Sequence, residues 1–134
     1  MISPALHFPG NCAEAIALYQ KAFDMTVHSV AYYRDAPPDS GMEISEDELD
    51  KVMHAELTIC GSRVNMSDSG PDGLTAGNMI ILNVFFHSGD GVRKAFHALK
   101  EGGKVHVELG PQFFSSMYGS VEDPFGVRWQ LIAE

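Results

Sequence analysis

The segment that most restricts the fold is 53–68, Met-His-Ala-Glu-Leu-Thr-Ile-Cys-Gly-Ser-Arg-Val-Asn-Met-Ser-Asp. Ala55, Leu57 and Ile59 alternate with His54, Glu56 and Thr58. Beyond Gly61-Ser62, Val64 and Met66 alternate with Arg63, Asn65 and Ser67. A period of two gives each strand one apolar and one polar face, and Gly-Ser between them marks a tight turn. The layout returns near the other end of the chain. Met53 matches Met117, Gly61 matches Gly126, Arg63 matches Arg128 and Asn65 matches Gln130. A repeated hairpin in 134 residues predicts one compact unit built from two similar halves, or two very small units fused.

The rest of the chain fits a repeat. Residues 3–8 read as a short strand, with Pro4 confining it to a strand start or sheet edge. Asn11 is a good helix cap with Glu14 at the capping-box position, and Ile16, Tyr19 and Phe23 give an apolar stripe over 12–23. Residues 25–33 favour a strand. Residues 34–51 form a long acidic connection containing Pro37-Pro38, and Ser45 with Glu48 predicts a short helix near 46–51. The hairpin follows at about 52–67. Residues 68–78 are turn chemistry and predict a linker. The order then restarts. Residues 80–86 read as a strand, and Asp90 caps a helix with the stripe Val92, Ala95, Phe96 and Leu99. Gly102-Gly103 ends that helix. Residues 104–109 are a strand, and a loop with Gly110-Pro111 and Phe113-Phe114 leads to the last two strands. The prediction is an α+β fold of two βαβββ modules, about 1–67 and 79–134, joined by 68–78. The sheets are mostly antiparallel and curve around a cleft.

Composition narrows the partners. The formal charge is −9, from 18 acidic and 9 basic residues, which argues against nucleic acid or an anionic membrane surface. No apolar run approaches the ~20 residues of a membrane span, and no signal-peptide pattern opens the chain. Two cysteines, Cys12 and Cys60, are too few for a disulfide scaffold. The expected location is the cytoplasm.

These modules carry further motifs: Phe8-x-Gly10-Asn11-x-x-Glu14-Ala15, His54-Ala55, Gly61-Ser62, Met66-Ser67-Asp68 and Asp123-x-Phe125-Gly126-Val127-x-Trp129. Together they resemble the vicinal oxygen chelate superfamily of glyoxalases, bleomycin-resistance proteins and extradiol dioxygenases. The closest likeness is to its PhnB-like branch, often labelled 3-demethylubiquinone-9 3-methyltransferase-like. The resemblance covers nearly the whole chain and implies a single glyoxalase-like domain over 1–134, a small organic molecule as partner, and a homodimer. It also implies four metal ligands, from the first and last strands of each half. By spacing these positions fall on Pro4, Asn65, Asn83 and Gln130. None is His, Asp or Glu, so no metal is expected in the usual place. A displaced divalent metal would need His54 and Glu56, which share a strand face, and a third ligand that the sequence does not identify.

The candidate site follows. His54 is the expected base or ligand, and Glu56 the residue that orients it. Asn65, Asn83, Gln130, Tyr118 and Ser120 are expected to hold a ligand by hydrogen bonds, and Phe113, beside Phe114, to cover it. His7 is assigned to the helix side or solvent, and Trp129 to the core. The leading function is a glyoxalase-like small-molecule enzyme of unassigned substrate, acting without the metal quartet. The alternative is a non-catalytic binding protein that sequesters a small molecule. Methyl transfer lacks support, because no Gly-rich loop between the first strand and helix would seat a nucleotide-type methyl donor.

Overall fold

The structure, a computed structural model, describes residues 1–70 and 72–134. Pro71, in the predicted linker, lies outside the described residues. The chain forms two compact units, residues 1–16 with 25–74 and residues 17–24 with 75–134. Each contains one four-stranded sheet.

The first unit contains β1 (Ala5–Phe8), the opening of α1 (Cys12–Ala22), β2 (Met25–Tyr32), β3 (Val52–Ile59) and β4 (Ser62–Asp68). Its strand order is β1-β4-β3-β2, with β1 and β4 parallel and the other pairs antiparallel. The alternation in the sequence is the alternation in space. Ala55, Leu57, Ile59, Val64 and Met66 are buried with Phe8, Cys12, Ala15 and Ile16. The hairpin turn is Cys60-Gly61, not Gly61-Ser62. Both turn residues have positive φ, 48° and 88°, as the twist of a two-residue hairpin requires.

The cap of α1 differs from the sequence reading. The first N–H of α1, from Cys12, donates to Asp68 Oδ1 at 3.0 Å, while Asn11 Oδ1 is buried without a hydrogen-bond partner. A buried carboxylate from a distant strand has displaced the local cap. In the acidic connection the Ser45–Glu48 box holds, but over a single 3₁₀ turn, Glu46–Glu48.

The second unit takes the remainder of α1 with β5 (Leu82–Phe86), α2 (Gly89–Lys100), β6 (Lys104–Gln112), β7 (Ser115–Glu122) and β8 (Arg128–Ala133). The sheet order is β5-β8-β7-β6, with β5 and β8 parallel. Here α2 buries Val92, Ala95, Phe96, Ala98 and Leu99. Its N-cap position is Ser88, and Asp90 sits in the first turn, paired with Arg93 at 3.0 Å. Trp129 is buried, packed edge-on against Tyr19 at 5.2 Å and tilted against Phe23 at 4.8 Å. Gly119 lies under the second helix, where a Cβ would come within 2.8 Å of the Phe96 ring. The predicted loop at Gly110-Pro111 is strand. β6 continues through it to Gln112, and Phe113-Phe114 make the turn into β7. Pro111 is accommodated because β6 is an edge strand with an irregular register.

Among the described residues no helix is long and apolar enough to cross a membrane.

Candidate functional site

The helix-free face of each sheet carries the candidate residues, and strand register lines them up in rows. In the first unit Ala5 sits beside Asn65, and Asn65 lies opposite Glu56. The next row pairs His7 with Ser67, and His54 projects from the same face two residues before Glu56. A third row sets Thr58 opposite Arg63. Arg63 Nε stands 3.2 Å from Glu56 Oε1. Glu56 is therefore engaged by a guanidinium, and among the described residues no hydrogen bond joins it to His54. His54 itself is exposed. His28 Nε2 lies 2.7 Å from Thr58 Oγ1, and His7 Nδ1 hydrogen-bonds Ser69 Oγ. Asn65 Oδ1 is buried with no partner.

His7 is exposed and belongs to this face; of the helix side or solvent, the register excludes the helix side. Spacing from Gly10 placed Pro4 in the row of Asn65, but the pairing places Ala5 there. Pro4 instead uses its carbonyl to accept the Asn65 N–H at 3.0 Å. The shift of one residue turns His7 to the opposite side.

The second unit repeats the rows with different chemistry. Asn83 sits beside Gln130, which faces Ser120. The next row is Phe85, Ile132 and Tyr118, where the first unit has His7, Ser67 and His54. Glu122 faces Arg128. Arg128 Nη2 lies 3.0 Å from Glu122 Oε1, and His106 Nε2 is 3.5 Å from the same oxygen. Tyr118 and Ser120 are buried, Gln130 is half-buried and Asn83 exposed. Tyr118 packs edge-on against Phe114 at 5.1 Å, whereas Phe113, at the hairpin turn, is 101% exposed. Sequence reasoning missed Glu122, Arg128 and His106 as a group. The signal was present, since Arg128 had been matched to Arg63 and each has a glutamate on the neighbouring strand.

The register puts Ala5 beside Asn65 in one sheet and Asn83 beside Gln130 in the other, the pairs to which the resemblance would assign ligands. A methyl group and three amides do not suit a transition metal that prefers imidazole, thiolate or carboxylate. Among the described residues no three His, Cys, Asp or Glu side chains are grouped to hold a metal ion.

Cys12 does not have the surroundings of a nucleophile. Burial and the Asp68 carboxylate push the Cys12 thiol up to about 12, against the lowering that a helix N-terminus gives an accessible thiol. Cys60 holds the turn. Tyr33 is also raised, by burial and then by Asp68 and Glu48. Its hydroxyl donates to the Asp68 carbonyl at 2.6 Å.

Comparison with known proteins agrees with this architecture. The family model for the Glyoxalase/Bleomycin resistance protein/Dioxygenase superfamily matches residues 2–131. Protein YjdN of Escherichia coli K12 is 28% identical over 139 residues, covering 97% of this chain and 92% of its own. The crystal structure of PA1353 from Pseudomonas aeruginosa superposes with a TM-score of 0.86 at 31% identity, covering 100% of this chain and 97% of its own. The PhnB protein of Bacillus cereus gives 0.82 at 27% identity, covering 99% and 98%.

Proposed function

Since this chain belongs to the Glyoxalase/Bleomycin resistance protein/Dioxygenase superfamily, we propose that it is a small-molecule enzyme working without the superfamily's usual metal ligands. The observation that carries the reading is the face of the first sheet, where His54, His7, Glu56 and Arg63 stand on three adjacent strands. Imidazole is the side chain whose ordinary pKa suits proton transfer near neutrality. In this reading exposed His54 takes a proton from the bound molecule. Arg63, held by Glu56, and the Asn65 amide bind its oxygen atoms. Glu56 thus contributes to the binding surface through Arg63. In the second unit Asn83, Gln130, Ser120 and Tyr118 offer hydrogen bonds, with Phe113 an apolar contact at the turn. Superfamily members bind small molecules and often form dimers. We read this chain likewise as a homodimer that takes a small organic molecule.

The test incubates the protein with pooled small metabolites and follows them by mass spectrometry. The reading predicts a product with the wild type and its loss with His54→Ala. Unchanged turnover in His54→Ala would remove His54 from the chemistry.

A second reading, sequestration without chemistry, draws support from the amides at the ligand positions and from the absence of a hydrogen bond between His54 and Glu56. It predicts one-site binding with the mass of the bound molecule unchanged.

A further inference from the structure

We propose that the Glu122–Arg128 row of the second unit, next to the row of Ser120 and Gln130, forms a polar pocket that takes a small zwitterion bearing a carboxylate and an ammonium group. The pocket has a volume of about 340 Å³ and is lined by Ala76, Gly77, Asn78, Glu122, Gly126 and Arg128. Part of its wall is the connection that the sequence marks only as turn chemistry. That connection lies close to the 126 turn, where a Cβ on Gly126 would stand 3.2 Å from the Ala76 methyl. Gly126 has a φ of 89°, so glycine serves both the turn and the close approach.

The opposing charges define the ligand. Arg128 reaches Glu122 through Nη2 at 3.0 Å, and its Nε is buried without an acceptor. Nε itself is closed off from solvent, so the part of Arg128 open to a ligand is the rest of its guanidinium, at the pocket wall. A planar guanidinium matches a carboxylate. A simple anion, however, would also meet Glu122, which balances Arg128 when His106 is neutral. A molecule with both charges pairs its carboxylate with Arg128 and its ammonium with Glu122, and the Asn78 amide serves either group. The small lining residues Ala76, Gly77 and Gly126 offer no ring or large apolar wall, so charge rather than bulk selects the ligand. None of these residues belongs to the catalytic set of the first unit, and the site stands whether or not the chain is an enzyme.

The test is an NMR titration of the full chain with L-alanine, followed at the Arg128 Nε–H signal. Lactate, which lacks the ammonium, and L-alaninamide, which lacks the carboxylate, are the comparisons. The proposal predicts a saturable shift with alanine and binding at least about tenfold weaker for each analogue. It also predicts loss of alanine binding in Arg128→Lys and in Glu122→Gln. The wild-type comparison decides the matter even if a variant fails to fold. No saturable shift with alanine, lactate binding as tightly as alanine, or unchanged binding in a folded Arg128→Lys would overturn it.

Discussion

Asp123 is 2% exposed and accepts four hydrogen bonds. The Tyr19 hydroxyl and Trp129 Nε1 donate to Oδ2 at 2.6 and 2.9 Å, and the Phe125 and Val127 amides donate to Oδ1 at 2.9 and 3.0 Å. One carboxylate thus ties α1, the 123–127 turn and β8 within the second unit. Removing it takes one shared acceptor from four hydrogen bonds, two of them buried, and losing a buried acceptor is costly. Asp123→Ala should lower stability by about 3 kcal/mol or more, read from urea unfolding. Asp123→Asn should recover little, because its amide N–H₂ would face donors. Cys12 gives a second residue-level prediction. Its thiol is pushed from an ordinary value of 9.0 up to about 12, so above pH 9 the unfolded chain releases a proton that the folded chain keeps. Stability from this group is complete below about pH 9 and falls as pH rises towards 12. The wild type should lose about 1.4 kcal/mol per pH unit more than Cys12→Ala over that window, measured by denaturant unfolding at alkaline pH. Equal slopes would mean that the thiol is not held protonated.

Among the elements, strand β7 shows why a glycine interrupts an apolar face. Gly119 brings the strand under Phe96 of α2, and an added Cβ would stand 2.8 Å from the ring and 3.1 Å from Leu109. Gly119→Ala should therefore destabilise by about 1–3 kcal/mol, and a Phe96→Leu background should relieve part of the loss. Additive losses in the double variant would deny the contact. The elements were legible in the sequence where pattern and local chemistry agree, as in the period-two hairpin or the buried stripe of α2. They were not legible where a distant partner decides. Asp68 caps α1 from the end of β4, and nothing near Asn11 announces it. The strand through Gly110-Pro111 depends on an edge position that only sheet order reveals. The candidate site followed the same division. The parity of His54, Glu56 and Asn65 was readable, but the pairing of β1 with β4 was not, and one residue of register decided the side on which His7 lies.

For the whole molecule, the repeat is a repeat of geometry more than of chemistry. Corresponding rows hold His7 and Ser67 in one unit and Phe85 and Ile132 in the other. The row that joins the first and last strands carries Ala5 and Asn65 in one sheet and Asn83 and Gln130 in the other. Such divergence is expected where a scaffold is retained and its site rebuilt. The measurement that tests this account most directly is the metal content of the purified protein after incubation with Zn, Ni, Mn and Fe(II), with His54→Ala alongside. The account predicts no stoichiometric metal in either protein, with turnover in the wild type unaffected by chelation. One equivalent of metal in the wild type, lost in His54→Ala, would contradict it and place a metal centre on the face that His54 shares with Glu56.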